Sequence, residues 1–165
     1  MQTRCPGCGV ELQSETDALD NLYNASKACR DLSHQLSYYT LSLHDDYFIH
    51  QLVVDAYAAQ HAGPFVKPIS TAFALIGLYL VIEHNYTGKE VQKVHKQLAE
   101  LSKDWPQFIL PTEKAEVTIK DITDSPDAQK NKMIQNWARS VWKVWSSEHR
   151  NIKLLVYNYI NLQLT

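Results

Sequence analysis

The stretch from Ser70 to His84 restricts the fold more than any other. Phe73, Leu75, Ile76, Leu78, Leu80, Val81 and Ile82 go nearly all the way round a helix. A helix without a polar face must be enclosed by neighbours, so the pattern predicts the central member of a helical bundle. Its longest apolar run, Ala72 to Ile82, falls well short of the roughly 18 to 20 residues of a membrane span. The opening MQTRCPGC also lacks the apolar stretch of a secretory signal. These features point to a cytoplasmic chain without membrane association. At 165 residues and 45% hydrophobic, it has the material for one core, and we expect a single helical domain over 1–165.

Around that helix the punctuation places others. From about Asp17 to Leu43 the pattern is mostly helical, with Asn21, Asn24 and Ser26 as interruptions and a cleaner helix from Cys29. A second helix runs from about Asp46 to His61 and stops at Ala62-Gly63-Pro64, where Gly ends helices and Pro disfavours helical geometry before it. Thr87-Gly-Lys-Glu90 is a capping box ahead of Val91, Val94, Leu98 and Leu101. Residues 105–124 break the periodicity at Pro106 and Pro111, and Val117, Ile119 and Lys120 could form a short extended piece, in a lid or a packed connection. Ser125-Pro126 opens a long final helix reaching Tyr159. The expected fold is all-α, a bundle of about five helices with a Cys knuckle at residues 1–13.

Cys5-Pro6-Gly7-Cys8-Gly9 is the sharpest chemical motif. A CxxC turn with glycines lets two thiolates point inward while backbone amides approach the sulfurs. Cys29 offers a third thiolate, and a closed tetrahedron needs one more ligand, usually His. His34 lies five residues after Cys29, which on a helix is about 140° round and a poor chelating geometry. His50 escapes that restriction. The preferred structural zinc set is therefore Cys5, Cys8, Cys29 and His50; the alternative is a reduced knuckle with Cys29 buried as a small hydrophobe. No βαβ pattern surrounds the CxxC to support a redox role.

A second constellation, His50, Asp55, Gln60 and His61, lies in HQLVVDAYAAQH. About 16 Å of helical rise separates the two histidines, so they serve different sites. His61 could meet His149 or Glu148, or Glu83 and His84, in an open His and carboxylate metal site, with Asp55 or Glu148 as catalytic acid or base. Otherwise Asp55, Gln60 and His61 satisfy helix ends and buried polar groups. A third grouping sets Trp137, Trp142 and Trp145 beside Arg139, Lys143, Arg150 and Lys153. Nucleic acid could bind rings and cations together, but Trp137 and Trp145 share the core stripe while the basic residues lie opposite. A net charge of -2 argues against a surface built to coat polyanions. No Gly-rich phosphate loop, GxSxG elbow or HExxH occurs.

CPGCG, HQLVVDAYAAQH and WARSVWKVWSSEH together resemble a bacterial family of uncharacterised domains with a CPGC knuckle, a DAYAxQH helix and a tryptophan-rich segment ending in His. On that resemblance Cys5, Cys8, Cys29, His50, Asp55, Gln60, His61, Trp137, Trp142, Trp145 and His149 fall on the family pattern. It implies no activity. Family members often carry a His in the third helix, where this chain reads Phe73-Ala74-Leu75, which disfavours a metal site needing that ligand. Helical bundles with scattered His also include the DinB-like metal proteins, an analogy of fold class alone. The leading expectation is a noncatalytic, zinc-stabilised module that binds a protein or small molecule. A metal-dependent hydrolase or transferase is the rival, and nucleic-acid binding through the basic face the third possibility.

Overall fold

Two helices carry the bundle, α2 (Ile49–Gln60) and α3 (Pro68–His84), packed along one another. A computed structural model of the chain describes residues 1–101 and 104–160. Around the central pair lie α1 (Lys27–Ser42), α4 (Gly88–Leu101), α5 (Ile119–Thr123), α6 (Asp127–Val144) and α7 (His149–Ile160). The largely apolar α3 touches α2, α4, α6 and α7, which is the enclosure its sequence demands. Its partner α2 touches α1, α3, α4 and α6 and is buried at nine of its twelve positions, Asp55 among them.

Side chains at the helix ends fix the entries. Ser26 caps α1 by accepting from the Cys29 amide at 3.2 Å. The capping box forms as expected: Thr87 Oγ1 accepts from Glu90 N at 3.2 Å and Glu90 Oε2 from Thr87 N at 2.7 Å. At the N-terminus, β1 (Gln2–Arg4) and β2 (Glu11–Gln13) pair antiparallel with Thr3 opposite Leu12, and the Cys5–Cys8 turn sits at the hairpin tip.

The structure departs from the sequence reading at three places. Residues 17–26, expected to be mostly helical, form a turn closed by a bridge between Leu19 and Ser26, because Asp20 Oδ1 accepts from the Leu22 and Tyr23 amides, and α1 begins only at Lys27. The end of the 105–124 connection is helical, because Thr118 and Asp121 make a second capping box that opens α5. The final helix is two helices: α6 closes at Trp145 and a 3-10 turn, Ser146–Glu148, leads into α7. Ser146 and Ser147 compete with the backbone for hydrogen bonds and weaken a helix there. The apolar stripe on either side stays continuous, so periodicity carried no sign of the break. No helix among the described residues is long and apolar enough to cross a membrane.

Candidate metal centre

Three separate stretches of chain converge at one point. The hairpin tip brings Cys5 and Cys8, the first turn of α1 brings Cys29, and His61 caps the C-terminus of α2. The four ligand atoms all lie within 4.8 Å of one another, and all four residues are buried. Cys8 Sγ is 3.8 Å from Cys29 Sγ, and Cys29 Sγ is 3.3 Å from His61 Nε2. Such a group can hold a metal ion.

Each ligand is held by backbone chemistry. The hairpin tip is closed by Cys5 N to Val10 O at 2.8 Å and Gly9 N to Cys5 O at 2.9 Å. Gly7 permits the approach of the other segments: a Cβ there would lie 2.4 Å from Asn24 O and 2.6 Å from His61 Cδ2. Cys29 lies in an N-terminal helical turn, where the positive end of the helix dipole favours a thiolate. His61 Nδ1 is 2.8 Å from Tyr57 O, so Nδ1 carries the proton and donates it, leaving the Nε2 lone pair on the sulfur side. The Tyr57 ring stacks on the His61 ring at 4.0 Å between centroids, and the Tyr57 hydroxyl donates to Cys29 Sγ at 3.8 Å.

The electrostatics of this cluster are compatible with its holding a cation. Contacts from Cys29 and Cys8 pull the Cys5 thiol far below its ordinary value. Cys8, although the Cys29 contact favours its thiolate, is pushed up to about 12 by the Cys5 contact, by burial and by the charge on Cys5. Contacts from Cys5 and Cys8, then burial, drive Cys29 higher still. One thiolate therefore suppresses its neighbours, and a dication among them would remove the conflict.

His50, the fourth ligand expected from sequence, stands elsewhere. It lies at the opposite end of α2, its Nδ1 is 2.9 Å from Thr40 Oγ1, and burial lowers its pKa. His61 takes the place assigned to it, because α2 returns to the knuckle by its C-terminal end. His34 is exposed. His149, expected to pair with His61, stacks on Trp142 at 3.9 Å with its Nε2 2.9 Å from Trp142 O. It belongs to no metal-ligating group among the described residues.

The catalytic candidates are both sealed. Glu148 is buried, and its oxygens accept from Ile109 N at 3.1 Å and Asn151 Nδ2 at 2.8 Å. Asp55 is 3% exposed; Oδ1 accepts from Gln51 Nε2 at 3.1 Å and Oδ2 has no partner. Burial holds its carboxyl well above the usual range. The three tryptophans also face inward: Trp137 Nε1 donates to Gln60 Oε1 at 2.8 Å, Trp142 Nε1 to Glu83 Oε1 at 2.9 Å and Trp145 Nε1 to Ala59 O at 3.2 Å. The exposed Arg139, Lys143, Arg150 and Lys153 therefore do not have these three rings as stacking partners.

Sequence reasoning did not pick out Lys114, which bonds the backbone of the Cys turn, and it named Gln60 without its partners. Gln60 also donates from Nε2 to Val117 O at 2.8 Å, and Lys114 Nζ donates to Pro6 O at 2.7 Å and Gly7 O at 2.6 Å. The string DAYAAQH carried the signal for Gln60; nothing local marks Lys114. A family described as one of unknown function, DUF5946, matches residues 3–146, and the chain belongs to it. All four members of the cluster lie inside that match, whereas Glu148 and His149 lie beyond it. No curated protein and no solved structure matches the chain.

Proposed function

We propose that this member of a family of unknown function is a noncatalytic, zinc-stabilised helical module whose ion is structural and whose surface serves binding. One observation carries the reading: the ligand set is closed. Three thiols and an imidazole fill a tetrahedron and leave no position for substrate, whereas catalytic zinc keeps one open. Zn–S bonds of about 2.3 Å and a Zn–N bond of about 2.0 Å, at tetrahedral angles, separate two sulfurs by about 3.8 Å and sulfur from nitrogen by about 3.5 Å. The observed separations are 3.8 Å for Cys8 to Cys29 and 3.3 Å for Cys29 to His61. Soft thiolates with one imidazole select zinc over the hard cations magnesium and calcium. The rival hydrolase or transferase draws no support from this geometry, since His61 faces the cysteines and Asp55 and Glu148 are enclosed.

The test is elemental mass spectrometry with thermal unfolding on protein purified without added metal. Wild type and His50→Ala should each carry one zinc per chain. Cys5→Ser/Cys8→Ser should lose the ion and unfold at a markedly lower temperature, and His61→Ala should bind it far more weakly. Metal retained in the double cysteine variant, or lost in His50→Ala but kept in His61→Ala, would sink the proposal.

A further inference from the structure

The connection leading from α4 to α5 has no regular structure over 104–118. Trp105 packs edge-on against Phe73 near its start, and three hydrogen-bonded anchors follow. Ile109 N donates to Glu148 Oε1, and Val117 O accepts from Gln60 Nε2; both of these anchors belong to the helical body. The third is different in kind. Lys114 reaches the carbonyls of Pro6 and Gly7, the two residues between Cys5 and Cys8.

Those carbonyls point at Lys114 only while the Cys turn keeps its shape. Backbone hydrogen bonds close the hairpin tip, and two thiolates bound to one ion would hold the turn more firmly than two free thiols. The charge balance acts the same way, because three thiolates around a dication would leave one net negative charge behind the turn whose carbonyls the Lys114 ammonium holds. Between the strap and the bundle lies a cavity of about 140 Å³, lined by Gly7, Asn24, Gln60, Leu110, Lys114 and Trp145 among others. Trp145 is 1% exposed beneath it.

We propose, resting on the zinc reading above, that residues 110–116 form a latch governed by metal occupancy. The loaded turn presents two carbonyls that Lys114 holds, keeping the strap closed over the cavity. Loss of the ion releases Lys114, frees the strap between its outer anchors and opens the face around Trp145. The metal centre thereby controls access to a surface as well as bracing the fold.

The experiment compares wild type with zinc, wild type stripped by chelator, and zinc-loaded Lys114→Met, which keeps the side-chain stem and removes the ammonium. Glutamyl endopeptidase cleavage after the exposed Glu113 and Glu116 is timed by intact mass, with metal content read on the same samples. Lys114→Met should retain one zinc per chain, keep its helical circular dichroism and be cut in the strap at least tenfold faster than loaded wild type. Stripped wild type should show the same preference for the strap. A zinc-loaded Lys114→Met cut at the wild-type rate overturns the latch while leaving the zinc site intact. Strap cleavage insensitive to chelation overturns the metal's control of it. Wild type without metal overturns both readings, and the metal assay separates that case from the others.

Discussion

Helix α2 buries ionisable groups at two places, and it treats them in opposite ways. At its C-terminal end His61 joins three cysteines whose thiols suppress one another's ionisation, an arrangement that a shared cation resolves. At mid-helix Asp55 lies against α3 with one oxygen unpartnered and its pKa raised by burial. Gln51 bridges that carboxyl toward His95, whose Nε2 donates to Phe73 O at 2.9 Å. The first place buries charge by collecting enough ligands for an ion. The second buries an acid whose charged form burial disfavours.

The sharpest way to break the second place is Gly77→Ala. A Cβ there would lie 2.0 Å from Asp55 Oδ2, so α2 and α3 must separate or the carboxyl must turn. The expected loss is about 2–3 kcal/mol in denaturant unfolding, with metal content unchanged because His61 lies beyond Asp55 by about 9 Å of helical rise. Unaltered stability would show that the carboxyl moves freely and that the contact is soft.

Asp55→Asn sharpens the comparison through pH. The folded carboxyl has a raised pKa, while the unfolded one ionises near its ordinary value of about 3.9. Below about pH 4 both states are protonated; as pH rises from there toward the folded pKa, the unfolded state loses its proton first and wild-type stability falls. Asparagine does not titrate, so the variant should gain on wild type across that window. A stability difference that stays constant with pH would mean Asp55 ionises alike in both states.

The smallest effect belongs to Tyr57→Phe, which removes the hydroxyl donating to Cys29 Sγ and keeps the ring stacked on His61. We expect about 1 kcal/mol less stability and faster loss of the ion to chelator, at unchanged stoichiometry. An unaltered release rate would show that the sulfur needs no such donor.

The sequence made the enclosed α3, the capping box at Thr87 and the triad of cysteines readable, because each depends on local spacing or on a scarce residue type. The fourth member of the cluster did not come through. His50 and His61 sit on one helix, and only the direction in which α2 returns to the hairpin decides which end meets the knuckle. That direction is set by packing on α3, which no local pattern encodes. Lys114 illustrates the same limit, since its partners Pro6 and Gly7 lie more than a hundred positions away. The break at Ser146 stayed hidden for another reason: Trp145 and Ile152 are buried on both sides of it, so the apolar stripe never lapses.

The convergence of hairpin, α1 and α2 also bears on the unfolded chain. Cys8 and Cys29 are separated by 21 positions and Cys29 and His61 by 32. An ion gripping all of them acts as a cross-link that closes two loops in succession, each carrying about 3–4 kcal/mol of closure entropy by the chain-entropy argument. Only Cys5 and Cys8 are near neighbours, so that pair can take up the ion before the rest of the chain is ordered. The hairpin would then be the point from which α1 and α2 are gathered, and zinc present during refolding would speed folding as well as stabilise its product.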